Sequence, residues 1–127
     1  MKSPFEKVAE SELQILKALW ASGEPLPAAR IVEAVSAVTP WENTTIRTLI
    51  HRLVAKGILR SEKRDVLHYT PLVTEAEFGD YQTGRLIDTF YSGKASGLVS
   101  ALYHHKRLSA EDVAELRALL DREDRHE

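Results

Sequence analysis

The stretch that most constrains the fold of this chain runs from Trp41 to Gly57, WENTTIRTLIHRLVAKG. Apolar residues recur in it at i, i+3, i+4, i+7 and i+8, which predicts an amphipathic helix with one buried stripe. Glu42 or Asn43 can cap the start of this helix, and Gly57 can adopt the left-handed conformation that ends it. The predicted stripe consists of Ile46, Leu49, Ile50, Leu53 and Val54.

The opposite face of this helix carries short hydroxyls near its start and long cations further along. A short hydroxyl lets the backbone approach base edges closely, and a cation can reach a phosphate or a guanine. A charged face is also common on helices that only face solvent, so the helix by itself leaves both interpretations open. The polar face consists of Thr44, Thr45, Arg47, Thr48, His51, Arg52 and Lys56.

Two shorter helices are predicted before this one. The first runs from about residue 9 or 10 to residue 21, and Trp20 is expected to anchor it in the core. The second covers about residues 28–36, with Pro27 suited to its first position. It ends before Pro40, because the residue preceding a proline avoids helical geometry. Three helices with a tight turn between the last two predict a helix-turn-helix, preceded by a loose leader over residues 1–7.

The hydrophobic period changes after Gly57. One extended run begins at Ile58 and Leu59, a second covers residues 66–70, and charged residues lie between them. This pattern predicts a β-hairpin with a loose tip, since the tip lacks an Asn-Gly or Asp-Gly pair. A hairpin directly after a recognition-type helix is a wing, whose basic tip would lie over the backbone or in the minor groove. A solvated loop tip is the alternative for Lys63 and Arg64.

From Thr74 onward the sequence is helical again. Helices are predicted over about residues 75–91 and 95–105, and Ser109 begins a third, with Asp112 as its capping partner. Three short helices cannot easily bury their apolar faces within about 50 residues, so an identical partner chain is expected to cover them. Packing back on the N-terminal part is the alternative. The predicted dimer interface consists of Phe78, Tyr81, Leu86, Phe90, Leu98, Leu102, Val113, Leu116 and Leu120.

The charge of the chain is divided unevenly between its two parts. Residues 1–73 carry ten Lys/Arg and eight Asp/Glu, whereas residues 74–127 carry seven and eleven. Six cations against three anions between Glu42 and Val66 would attract a polyanion there. We therefore expect a winged-helix domain over residues 1–73 and a three-helix dimerisation domain over residues 74–127.

Several classes of protein are disfavoured by the sequence. The chain has no cysteine, which removes disulfides, thiolate chemistry and cysteine zinc sites. Its N-terminus lacks a signal-peptide core and no apolar run approaches the length of a membrane span, so a cytoplasmic protein is expected. No nucleophile elbow, phosphate loop or zinc-protease motif occurs, and the adjacent His104 and His105 are poorly placed for a metal. An enzyme, a cofactor and a metal site are therefore not expected.

Short motifs spread over essentially the whole chain match the sequence pattern of a known protein family. The most specific are Trp41, Thr45-Ile46-Arg47-Thr48-Leu49, Arg52-Leu53-Val54-Ala55-Lys56-Gly57 and Tyr69-Thr70-Pro71, with support from Glu12 through Leu19-Trp20 and from Phe90-Tyr91-Ser92-Gly93. In these stretches the sequence resembles the penicillinase-repressor family, the BlaI/MecI/CopY group of bacterial winged-helix repressors. The resemblance implies an N-terminal winged helix, a C-terminal helical dimerisation domain, and a homodimer on a palindromic operator in double-stranded DNA. It also implies a role in β-lactam resistance or another stress-response regulon, with a membrane sensor protease as a further partner.

The chain departs from the family pattern at four points. Ala9 stands where Ser or Thr commonly caps the first helix, and Arg47 stands where Gln is frequent. The position at which some members are cleaved at an Asn-Phe bond reads Ala101-Leu102. The cysteine motif of copper-responsive members is missing. We therefore expect a different base preference and a different response to a sensor protease.

Each residue of the predicted DNA-binding surface has an expected role. Thr45, Arg47 and Thr48 are expected to face bases, with Thr44 and His51 at the edge of that contact. An ion pair with Glu42 or Glu62 is the alternative for Arg47, and a role inside the protein is the alternative for Arg52. The predicted phosphate contacts are Arg52, Arg60, Lys63 and Arg64. The alternative function is a winged-helix protein-interaction module that uses the same face on an acidic protein.

Overall fold

A computed structural model describes residues 4–125, which form six α-helices, a 3₁₀ helix over Pro4–Lys7 and a three-stranded sheet. The chain divides into two compact units between Tyr81 and Gln82. Within the described range, no helix is both long enough and apolar enough to cross a membrane. The elements are α1 (Glu10–Ser22), β1 (Leu26–Pro27), α2 (Ala28–Ser36), α3 (Asn43–Ala55), β2 (Leu59–Lys63), β3 (Leu67–Pro71), α4 (Glu75–Phe90), α5 (Ala95–His104) and α6 (Ala110–Arg125).

The core of the first unit lies between α1, α2, α3 and the sheet. The stripe predicted for α3 is confirmed, with four of its residues buried and Val54 half-buried. Burial of this apolar surface is the main force that holds the three helices together. The buried residues are Ile15, Leu16, Leu19, Ile31, Val35, Ile46, Leu49, Ile50, Leu53, Ile58, Leu59, Tyr69 and Val73.

The ends of α3 lie close to their predicted positions. The helix begins at Asn43 with Glu42 at the cap position, one of the two residues predicted there, although the Glu42 side chain makes no cap hydrogen bond. Its C-terminal end is as predicted, because Gly57 takes a φ of +79°. The amide of Ile58 donates to the carbonyl of Leu53 at 2.9 Å, and the amide of Gly57 donates to Val54 at 3.0 Å. This pair of bonds satisfies carbonyls that the end of a helix leaves open.

The sheet consists of the predicted hairpin and one additional strand. Strands β2 and β3 pair antiparallel from Leu59↔Pro71 to Lys63↔Leu67, and residues 64–66 form the tip. Strand β1 pairs with the other edge of β3, with Leu26 opposite Tyr69. Two residues are too few to show a strand period, so β1 was not predicted. Pro27 consequently lies at the cap position of α2, one residue before the helical position predicted for it.

The segment before α1 packs on the first turns of α4. The ring of Phe5 stacks on Tyr81 with centroids 5.2 Å apart, and it meets Phe78 edge-on at 5.9 Å. Trp20 contacts Phe78 at 5.8 Å and donates its indole N–H to the carbonyl of Val73 at 3.0 Å. The described residues 4–7 are therefore not a loose leader, and residues 1–3 lie outside the described part. These contacts also explain why the units divide after Tyr81 rather than after Val73.

Two helices of the C-terminal half begin with reciprocal hydrogen bonds. The amide of Asp112 donates to the Ser109 hydroxyl and the amide of Ser109 to the Asp112 carboxylate, both at 3.0 Å, as predicted. Thr74 and Glu77 make the same pair of bonds at the start of α4. The amide and hydroxyl of Ser109 hold the pKa of Asp112 below its ordinary value. The side chain and amide of Thr74 likewise lower the pKa of Glu77. Each carboxylate therefore stabilises its helix start in the ionised form.

Candidate nucleic-acid interface

The polar face of α3 lies on the surface of the first unit. Burial of the apolar stripe leaves the opposite side of the helix to solvent, because residues three and four apart share one face. Six side chains predicted to contact DNA from this helix are all exposed: Thr44, Thr45, Arg47, Thr48, His51 and Arg52. A continuous row of hydroxyl, imidazole and guanidinium groups thus remains available to a partner.

Arg47 is held by a neighbour on its own helix. Its Nε–H donates to the side-chain oxygen of Asn43, one turn earlier, at 2.6 Å. Within the described residues Arg47 makes no ion pair, so the alternative partners Glu42 and Glu62 are not used. From the sequence, Asn43 was predicted only as a candidate cap. The i,i+4 spacing of the two residues was the available signal for this contact.

The hydroxyl of Thr48 is already committed to the helix backbone. It donates to the carbonyl of Thr44 at 2.8 Å, which leaves only its oxygen lone pairs for a partner. Thr48 can therefore accept a hydrogen bond from a base but cannot donate one in this rotamer. Thr45 and His51 make no side-chain hydrogen bond to the described part of the chain and remain free to donate or accept.

The wing places further cations beside α3. Arg60 and Lys63 are exposed on β2, and Arg64 at the tip lies 3.9 Å from the carboxylate of Glu62. Both partners of that pair are about half exposed, so the attraction is weak and leaves Arg64 available. A cleft of about 460 Å³ is lined by Arg47, Lys63, the start of α2 and the wing residues Asp65, Val66, Leu67 and Tyr69. One cation of α3 and one cation of the wing, Arg47 and Lys63, thus line the same cleft.

Lys56, which the sequence placed on the polar face, does not belong to this surface. Its ammonium nitrogen lies 2.6 and 2.9 Å from the two carboxylate oxygens of Glu12 and donates to the carbonyl of Lys7 at 2.7 Å. Glu12 is only 1% exposed, so Lys56 neutralises a buried charge. Arg52 differs, because it is exposed and makes no ion pair within the described chain. The alternative of an internal role for Arg52 therefore has no contact to support it.

The second unit exposes apolar side chains as well as charged ones. None of its side chains between residues 82 and 122 is buried. Among the predicted interface residues, Leu86, Phe90 and Leu120 are exposed by 40%, 73% and 63%. The half-buried members are Leu98, Leu102, Val113 and Leu116. Val99, Tyr103 and Leu119, which were not among the predicted interface residues, are also exposed.

One of the predicted interface residues, Phe78, must be corrected, and its neighbour Tyr81 is partly covered within its own chain. Phe78 is only 7% exposed, because it packs against Phe5 and Trp20 within its own chain. Tyr81 is half-buried and stacks on Phe5. The apolar pattern of α4 is continuous in sequence, so it could not show that the first turns are covered internally. Phe78 is therefore removed from the interface.

The positions that match the cleavage site of some family members lie inside a helix. Ala101 and Leu102 are half-buried in α5, three and two residues before its end at His104. Proteases cut most readily at exposed loop tips, where the backbone can be drawn out. Cleavage here would require α5 to open first.

The fold and its surfaces define the class of this protein. It is a winged helix-turn-helix with exposed cations, joined to a helical unit with exposed apolar faces. Residues 8–122 match the family model described as penicillinase repressor, and the chain belongs to this family. It is 26% identical to the penicillinase repressor of Bacillus licheniformis over 91% of this chain and 90% of that one. It is 27% identical to the methicillin resistance regulatory protein MecI of Staphylococcus aureus over 96% and 99% of the two chains.

The first unit also resembles a solved structure. The DNA-binding domain of the repressor BlaI is 28% identical, covers 61% of this chain and 93% of that domain, and superposes with a TM-score of 0.51. This likeness extends the family relationship to the three-dimensional fold of the winged helix.

Proposed function

We propose that this chain is a transcriptional repressor that binds a palindromic operator in double-stranded DNA as a homodimer. One observation carries the proposal: Arg47, on the exposed polar face of α3, lines the same cleft as Lys63 of the wing. On this proposal α3 enters the major groove, where Thr45, Arg47 and Thr48 meet base edges. The edge of that contact is formed by Thr44 and His51, and the phosphates are met by Arg52, Arg60, Lys63 and Arg64.

The exposed apolar faces of the second unit support the dimer. A soluble chain rarely leaves Phe90, Leu120 and Tyr103 all more than 60% exposed unless another surface covers them. An identical chain covers such a face by two-fold symmetry, and the same symmetry matches a palindromic site. The two recognition helices would then read half-sites one or two helical turns apart.

Repression follows from occupancy of a promoter, and release follows from loss of the dimer. A half-site held by one winged helix binds weakly once the link to the second is lost. The names of the relatives suggest that the regulated genes serve antibiotic resistance, and another stress response is the broader alternative. A membrane sensor protease remains a proposed partner, and its action at Ala101-Leu102 would have to open α5.

A salt titration on duplex DNA tests the proposal. Binding to a random-sequence duplex is measured by fluorescence anisotropy between about 50 and 200 mM salt, where neutralised phosphates make affinity fall steeply with salt. We expect Arg64→Ala to weaken binding to all sequences equally and to reduce the slope of log affinity against log salt by about 0.9 for each phosphate that is no longer neutralised. Lys17→Ala, which removes an exposed cation from α1, serves as the control and should change neither quantity. Salt-insensitive or undetectable DNA binding would favour the alternative of an acidic protein partner.

A further inference from the structure

The hydrogen bond between Asn43 and Arg47 restricts how the guanidinium can be presented. Arginine has five N–H donors, one on Nε and two on each terminal nitrogen. The Nε–H is donated to Asn43 at 2.6 Å, so the side edge of the guanidinium is occupied. The end edge, formed by the two terminal nitrogens, is left open on an exposed side chain. That edge can make the paired hydrogen bonds to O6 and N7 of guanine.

We propose that Asn43 is a positioning residue for base recognition, which holds Arg47 so that its two terminal nitrogens face guanine. The inference rests on the proposed function, and it adds a residue outside the predicted DNA contacts. An unrestrained arginine loses much side-chain freedom when it binds. The bond to Asn43 removes part of that freedom in advance, so the recognition of guanine costs less when DNA is bound.

No structural role in the fold competes for the Asn43 side chain. Asn43 is the first residue of α3, while the cap position belongs to Glu42, and Asn43 makes no cap hydrogen bond. Its side chain is exposed and therefore adds nothing to the core. Alanine has a higher helix propensity than asparagine, so Asn43→Ala should leave the fold intact. Thermal melting by circular dichroism verifies this before any binding is measured.

The experiment begins with selection of preferred sites from a random-sequence duplex library by the unaltered full chain. Arg47→Ala then identifies the base pair that Arg47 reads, because the preference at that position is lost. The guanine at that position is next replaced by 7-deazaguanine, which lacks the N7 acceptor. We expect this replacement to weaken binding of the unaltered chain and to leave binding of Arg47→Ala unchanged.

Two substitutions of Asn43 separate positioning from other effects. Asn43→Ala should reduce the preference for guanine by roughly three- to ten-fold, the range expected when one flexible side chain must be ordered on binding. Asn43→Asp retains an acceptor for Nε, so it should keep the preference, while its added charge weakens binding to every duplex. Ser22→Ala removes a comparable exposed hydrogen bond, to the carbonyl of Glu24 at 3.3 Å, and should change neither quantity.

A double-mutant cycle decides between positioning and direct contact. If Asn43 acts through Arg47, then Asn43→Ala has no further effect on base preference in the Arg47→Ala background. An equal loss in both backgrounds would overturn the proposal, since Asn43 would then read a base itself. Unchanged preference in Asn43→Ala, with preference lost in Arg47→Ala, would overturn the inference and leave the proposed function standing. Failure of the unaltered chain to bind any duplex would overturn both.

Discussion

At the scale of single residues, the Glu12–Lys56 pair joins three parts of the first unit. Lys56 ends α3, Glu12 lies in the first turn of α1, and the carbonyl oxygen of Lys7 accepts a hydrogen bond in the segment before α1. Glu12 also accepts the amide of Ala9 at 2.8 Å. That bond satisfies one open amide at a helix start where the side chain of Ala9 can accept nothing. The pair therefore fixes the end of the recognition helix against α1.

Substitution of Lys56 should show how much this pair contributes to the free energy of unfolding. Lys56→Met leaves the carboxylate of Glu12 buried without its cation, and we expect a loss of about 2–4 kcal/mol in the free energy of unfolding, because an unpaired buried charge is costly. The lower part of that range reflects the 32% exposure of the Lys56 side chain. Urea denaturation at neutral pH measures the change.

An exposed ion pair provides the control for this experiment. Arg30 and Glu33 lie 3.4 Å apart with side chains 66% and 71% exposed, so Arg30→Met should cost less than about 0.5 kcal/mol. The double variant Glu12→Leu with Lys56→Met removes both charges and should recover most of the loss. Equal losses in the free energy of unfolding for Lys56→Met and Arg30→Met would mean that the buried pair stabilises the fold no more than an exposed one.

The sequence could not show this pair, or the bond between Asn43 and Arg47, for different reasons. Helical periodicity places Lys56 near the polar face of α3, and only the fold brings Glu12 to it from 44 residues away. The second contact is local, but Asn43 was interpreted as a cap because asparagine favours that position. The exposure of the α3 side chains was predictable, since it follows directly from the apolar stripe.

At the scale of secondary-structure elements, the turn between α4 and α5 depends on an unusual backbone conformation and on a close helix contact. Ser92 and Gly93 both take positive φ angles, of 52° and 79°. A Cβ added to Gly97 would meet Tyr91 at 3.2 and 3.3 Å, closer than side chains ordinarily pack. Gly97 therefore lets the start of α5 approach the end of α4, and a larger residue there would displace Tyr91 by a few tenths of an ångström.

A comparison of two glycines within helices, Gly84 and Gly97, distinguishes the effect of packing on stability from the effect of helix propensity. Gly84 lies in α4 with no atom within 4 Å of an added Cβ, so Gly84→Ala should stabilise the protein by about 0.5–1 kcal/mol. Gly97→Ala gains the same propensity but must displace Tyr91, so we expect no net gain or a loss. Thermal unfolding of both variants gives the comparison. A gain in Gly97→Ala equal to that of Gly84→Ala would mean that the approach to Tyr91 carries no constraint.

Most elements were predictable because their signals are local. The capping pair of Ser109 and Asp112, the left-handed Gly57 and the apolar stripe of α3 each lie within a few residues, and each is confirmed. Strand β1 was not predictable, because Leu26 and Pro27 form a strand only by pairing with β3. The division into compact units after Tyr81 could not be predicted for the same reason, since it depends on contacts made by Phe5.

At the scale of the whole molecule, charged and large exposed apolar side chains are distributed unevenly between the two units. The overall charge of −2 conceals exposed cations on α3 and the wing, among them Arg47 and Lys63. The acidic excess lies in residues 74–127, which also carry six of the ten large apolar side chains that are exposed in the described part of the chain. Such a division suits a protein that meets a polyanion with one unit and its own copy with the other.

The dimer is tested by a charge placed on the apolar face of α6. Leu120 is 63% exposed and shares that face with Val113 and Leu116, whereas Ala118 lies on the opposite side at about 100° per residue. We expect light scattering to give twice 14.3 kDa for the unaltered chain and for Ala118→Glu. Leu120→Glu should give 14.3 kDa, because a charge in an apolar interface loses its hydration.

The affinity for DNA should depend on whether the protein is a dimer or a monomer. When the link between half-sites is lost, affinity for a full operator falls toward that for one half-site, a change of about 10²-fold or more. Leu120→Glu should therefore bind full and half-site duplexes with similar affinity, while Ala118→Glu retains the preference for the full site. A monomeric unaltered chain at micromolar concentration would refute the dimer. Retained preference for the full site in a monomeric Leu120→Glu variant would mean that the two winged helices cooperate without the second unit.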